Sequence, residues 1–121
     1  MGLTQGLTKT ILYVQDMNQQ IDFYCNKLEL TVKSPAGLKN YSDQVWVELG
    51  TGECTLVLHY NGEKQFGEDR TKLAFSVHDI ETAYKTLTER GVELSEIRSP
   101  SPDLKVASGF DPEGNPFAIH Q

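Results

Sequence analysis

The sequence predicts an α+β domain built from two related halves, each running from a strand through a helix into further strands. Three observations carry the prediction. The chain has 121 residues, the size of one domain that buries a core without cross-links. A β-rich segment followed by an Asp-capped amphipathic helix occurs twice. An offset of 63 residues aligns the two occurrences, pairing Thr8 with Thr71, Lys9 with Lys72, Val14 with Val77 and Asp16 with Asp79. Any two amphipathic units share some residues, so these identities are weak alone. Joined to the same order of elements, they argue for duplication.

The elements follow in order. Lys9 to Val14 is rich in β-formers and reads as a strand. Asp16, with Gln19 three residues on, is a capping-box pattern. Met17, Ile21, Tyr24 and Leu28 then mark one helix face. A second strand begins at Leu30 to Val32 and is broken by Pro35 and Gly37. Gln44 to Leu49 alternates as a third, Gly50 to Glu53 is a hairpin turn, and Cys54 to Tyr60 is a fourth. The polar stretch from Asn61 to Arg70 reads as the connector. The second half opens with a strand from Lys72 to Val77. Asp79 caps a helix whose Ile80, Ala83, Tyr84 and Leu87 share a face, and Gly91 sits where a left-handed C′ residue belongs. Val92 to Ile97 reads as a strand, Ser99 to Pro102 as a loop, Lys105 to Phe110 as a strand, Asp111 to Gly114 as a turn and Phe117 to His120 as the last strand. The domain is placed at 5–121, with modules at about 7–60 and 71–121.

Composition excludes several classes. A formal net charge of −6 argues against nucleic acid as a partner; it tolerates a cationic ligand without requiring one. No apolar run approaches the length of a membrane span, and the N-terminus has no secretory pattern. The two cysteines, Cys25 and Cys54, lack a CxxC spacing and read as reduced, so a cytoplasmic location is expected. No nucleophile elbow, P-loop or dinucleotide fingerprint is present.

Tyr13-Val14-Gln15-Asp16-Met17, Ile21-Asp22-Phe23-Tyr24 and Leu28-Glu29-Leu30 resemble the first strand, cap, helix and exit of the vicinal oxygen chelate superfamily. That group includes glyoxalase I, extradiol dioxygenases, fosfomycin-resistance transferases and bleomycin-resistance proteins. Glu29 stands where a glycine is common. Phe75 to Ile80, Gly91-Val92 and Phe110 to Asn115 resemble the corresponding segments of the second half, so the resemblance spans nearly the whole chain. It implies two βαβββ modules forming a curved mixed sheet around a cavity, with helices on the outer face. It also implies a homodimer, common among such short chains.

The resemblance further implies four metal-ligand positions: one seven residues before each cap Asp, and one acidic residue on the last strand of each module. They fall on Lys9 and Lys72, and near Val57 and Ala118. Side-chain alternation independently turns Lys9, Ile11 and Tyr13 away from the helix-packing face, as it does Thr55, Val57 and His59, then Lys72, Ala74 and Ser76, and finally Ala118 and His120. A protonated lysine has no lone pair for a metal, and Val and Ala have no donor atom. Neighbouring Thr8, Thr10, Thr71 and Leu73 are poor ligands too. The expectation is therefore no metal at the usual place.

The candidate ligand-binding set is Lys9, Tyr13, Trp46, Glu48, Val57, His59, Lys72, Ser76, Ala118 and His120; no catalytic or metal residues are assigned. Tyr13 and Trp46 are candidate aromatic walls, although core packing or a dimer contact accounts for them equally well. Lys9 and Lys72 form an anion pair if their strands approach, and are otherwise solvated at strand starts. The expected function is binding or sequestering a small molecule, without a cofactor. One alternative is a lyase, isomerase or dioxygenase with a displaced metal on His59, His120 and Glu48. Another is a non-catalytic dimeric partner protein.

Overall fold

The computed structural model describes residues 9–60 and 71–121. The expected connector from Asn61 to Arg70 lies outside the described residues. The chain divides into two compact units, Met1–Gln65 and Phe66–Gln121.

The first module contains β1 (Lys9–Val14), helix α1 (Met17–Ile21), β2 (Thr31–Ser34), β3 (Trp46–Gly50) and β4 (Thr55–Tyr60). The second contains β5 (Leu73–Ser76), α2 (Ile80–Glu89), β6 (Arg98–Ser101), β7 (Leu104–Phe110) and β8 (Pro116–His120). Each module builds its own four-stranded mixed sheet, in the order β1-β4-β3-β2 and β5-β8-β7-β6. The first strand of each lies parallel to the last, and the remaining pairs are antiparallel. The βαβββ plan thus occurs twice, as expected, in two open four-stranded sheets.

Period-two alternation decides which face each sheet buries. In the first module Leu12, Val14, Val47, Leu49, Leu56 and Leu58 are buried together with the helical residues Met17, Phe23 and Tyr24. Each such side chain contributes about 1.5–3 kcal/mol on leaving water. In the second module Phe117, Ile119 and Ala107 form the equivalent layer with Ile80 and Leu87.

Both helix starts follow the sequence. Asp16 Oδ1 accepts from the Gln19 backbone N–H at 3.0 Å, and Asp79 Oδ1 accepts from that of Glu81 at 3.1 Å. The Thr82 hydroxyl donates to Asp79 Oδ2 at 2.8 Å, and with the backbone donors it holds the carboxyl below its usual range. At the end of α2, Val92 N–H reaches Leu87 O and Gly91 N–H reaches Thr88 O, with Gly91 at φ +84°. This is the Schellman pattern, closed by the buried pair Val92 and Leu87.

Two expectations are corrected. The first helix does not keep the Met17, Ile21, Tyr24, Leu28 stripe. From Asp22 to Lys27 it widens into π turns, with Leu28 N–H bonded to Phe23 O at 3.1 Å. The extra residue per turn rotates the face, so Met17, Gln20, Phe23 and Tyr24 are buried while Ile21 and Leu28 are half-buried. Val92 to Ile97 is likewise no strand. It makes one bridge, Leu94 to Gly109, and the Ser95 hydroxyl accepts the Ser108 N–H in place of a ladder carbonyl. The bridge depends on Gly109: a Cβ there would stand 2.7 Å from the Glu93 carbonyl oxygen. The strand forms instead where a loop was expected, as β6. It includes Pro100, which an edge strand tolerates because no inward ladder bond needs its missing N–H.

Glu29 has φ +69°, the left-handed region that L side chains avoid. This gives the glycine common at that family position a physical reason. The Glu29→Gly variant is expected to gain about 1 kcal/mol of stability, read as a melting temperature a few degrees higher.

Candidate functional site

The register of β1, β4 and β3 arranges the sheet face opposite the helix into three rows. Lys9, Thr55 and Gly50 form the first, Ile11, Val57 and Glu48 the second, and Tyr13, His59 and Trp46 the third. Residues in register share a face, so six of the proposed ligand residues (Lys9, Tyr13, Trp46, Glu48, Val57 and His59) stand on one surface.

The third row is aromatic throughout. The His59 ring centroid lies 5.3 Å from that of Tyr13 and 5.3 Å from that of Trp46. Tyr13 is 47% exposed and Trp46 39%, which rules out core packing as their role. Val57, beside this row, is fully buried and Thr55 nearly so, giving the face a closed floor.

A charged group borders the rings. The Trp46 indole N–H donates to Glu48 Oε2 at 3.1 Å, and Lys9 Nζ lies 3.6 Å from the same oxygen. Lys9 Nζ also stands 5.9 Å from the Trp46 ring centroid, a cation–π distance. Lys33, from β2, donates to Thr55 Oγ1 at 2.9 Å. The indole N–H, followed by the ammonium groups of Lys9 and Lys33, holds the Glu48 carboxyl below the usual carboxylate range. A depressed carboxyl contributes while ionised and loses that contribution as pH falls through its folded-state value. Trp46 emission is therefore expected to change on acidification below the ordinary glutamate range, and Glu48→Gln is expected to remove that transition.

Sequence reasoning missed Lys33. Its position at the register shift between Val32 and Ser34 hides its parity. The alternation from Val32, which opposes buried Leu49, was the available signal.

In the second module Ser76, His120 and Val106 lie in one row, and Ala74, Ala118 and Ser108 in the next. Ser76, Ala118 and His120 thus share a face. Arg98 Nη2 donates to Ser108 Oγ at 3.4 Å on that face. Lys72 is exposed and precedes β5 by one residue. The partner the structure gives Lys9 is Glu48 of its own module.

Among the described residues, no three His, Cys, Asp or Glu side chains are grouped so as to hold a metal ion. Burial pushes the Cys25 thiol up, away from nucleophilic character. No described helix is long and apolar enough to cross a membrane.

Comparison with known proteins places this geometry. No curated protein matches the chain. Solved structures of the same fold include TnmS3, an antibiotic binding protein from Streptomyces sp. CB03234. It is 20% identical, with a TM-score of 0.79 over 100% of this chain and 98% of that one. A glyoxalase family protein from Enterococcus faecalis is 22% identical, with a TM-score of 0.78 over 97% and 98%. A superfamily member from Sphaerobacter thermophilus DSM 20745 is 23% identical, with a TM-score of 0.73 over 98% of each chain. At these identities the likeness is one of fold. The family itself is shown by a match over residues 6–119, nearly the full length: the chain belongs to the Glyoxalase/Bleomycin resistance protein/Dioxygenase superfamily.

Proposed function

We propose that this protein binds and sequesters a small flat molecule on the open face of its first sheet, without a metal. The observation that carries the reading is the aromatic row of exposed Tyr13 and Trp46 on either side of half-buried His59, next to buried Val57. Rings at 5.3 Å spacing offer a flat ligand stacking and edge contacts, and the floor keeps water from its underside. That a protein of like fold is an antibiotic binding protein supports a binding role.

The donor set at the expected metal positions does not fit a divalent ion. Lys9 offers an ammonium already facing Glu48, Val57 and Ala118 offer no donor atom, and Lys72 offers a second ammonium. Glu48 is also already engaged by Trp46. The protein acts as a homodimer in the cytoplasm; its two free thiols suit a reducing compartment.

Trp46 is the chain's one tryptophan and so reports on this face. A screen of flat aromatic compounds in the presence of a chelator is expected to yield saturable changes in Trp46 emission and a raised melting temperature. Adding Ni²⁺, Zn²⁺, Mn²⁺ or Fe²⁺ is expected to change neither. Binding or turnover that appears only with metal, or a melting temperature raised by metal alone, contradicts the reading.

A further inference from the structure

We infer that the preferred ligand is a flat aromatic acid, its ring on the Tyr13, His59 and Trp46 row and its anionic group toward Lys9 and Lys33. This rests on the binding role proposed above and adds the charge of the ligand.

The charge of this face is locally the reverse of the chain's. The whole chain carries −6, yet this face places two lysines around one carboxylate. Glu48 answers one positive charge and leaves a surplus of one. The hydrogen bond that holds Lys33 is to the Thr55 hydroxyl, a neutral acceptor, and Lys33 shares the single Glu48 carboxylate with Lys9. Lys9 is 52% exposed, and its contact to Glu48 is long at 3.6 Å. Solvent screens such a pair, so its ammonium can turn toward an arriving anion at little cost.

The geometry joins this surplus to the rings. Lys9 Nζ lies 5.9 Å from the Trp46 centroid, so an acid group on a ring stacked there comes within its reach. Successive rows on this face are about 7 Å apart, so the aromatic row and the row of Lys9 and Thr55 stand two intervals apart; the Lys9 stem crosses that gap to bring its ammonium beside the rings, while Lys33 adds its charge from the far row. Lys33 has room on the face because its stem lies over Gly50, the register partner of Thr31. A Cβ there would already touch the Lys33 stem at 3.4 Å. A cationic ligand is disfavoured by the same features: the cation position over Trp46 is held by Lys9, and a second cation meets both ammonium groups.

The test compares three probes with one ring system, 2-naphthoate, 2-naphthamide and 2-naphthylmethylammonium, by calorimetric titration of the full chain. Naphthoate is expected to bind about tenfold or more tighter than the amide, the worth of one charge-assisted hydrogen bond. The ammonium is expected to bind weakest. Raising salt is expected to weaken naphthoate alone. Lys33→Gln and Lys9→Gln are each expected to shrink the preference for the acid, read as the ratio of naphthoate to naphthamide affinity within each variant. If the amide or the ammonium binds as tightly as naphthoate, the inference about charge fails and the binding role stands. If none of the three binds at millimolar concentration, both fail.

Discussion

Replacing Asp111 by alanine is expected to cost about 3 kcal/mol, a melting temperature lowered by roughly 10 °C. The side chain is buried at 4% exposure, as is Asn115. Its Oδ1 accepts the backbone N–H groups of Glu113 and Asn115, both at 2.9 Å, and its Oδ2 accepts Asn115 Nδ2 at 2.8 Å. Alanine leaves those donors without their acceptor, two of them on a residue water barely reaches. Each buried donor so stranded costs about 1–3 kcal/mol. The turn joins β7 to β8, so its loss also loosens the strands that carry Ser108, Ala118 and His120. Asp111→Asn keeps one acceptor oxygen and is expected to cost distinctly less. Thermal unfolding of the two variants beside the parent checks both statements.

Trp46→Ala is expected to act oppositely, sparing the fold and removing ligand affinity. The residue is 39% exposed, so its truncation is expected to change stability by no more than about 1 kcal/mol. It is also the largest ring of the aromatic row, and loses with it the donor that anchors Glu48. Loss of a central aromatic contact costs about 2 kcal/mol or more in binding, some thirtyfold in affinity. Trp46→Phe keeps a ring without the N–H and is expected to recover most of that loss. Both variants remove the fluorescent reporter, so affinity is read by calorimetry. Equal affinity in the parent and Trp46→Ala would remove the aromatic row from the site.

The sequence exposes a period-two pattern more readily than an irregular one. Alternation assigned Lys9, Ile11 and Tyr13 to the face away from the helix, and the register with Thr55, Val57 and His59 puts all six together. β1 runs over the expected residues because nothing in Lys9 to Val14 competes with a strand. The π turns were hidden because one added residue per turn leaves an apolar spacing that still reads as helical. β6 was hidden because Pro100 and Pro102 signal a loop, and only its edge position permits a strand. The partners of Glu48 were equally out of reach: Trp46 is two residues away in sequence, but Lys9 and Lys33 reach it through pairings that composition does not encode. The Asp111 and Asn115 pair looked like an ordinary turn, and only burial shows its energetic weight.

The central claim is that the first sheet's open face binds a ligand without metal. A crystal structure of the protein soaked with its tightest aromatic ligand tests it most directly. The ligand ring is expected against Trp46 and Tyr13, with no ion coordinated by His59 or Glu48. Ligand bound away from this face, or a metal ion held on it, would contradict the account.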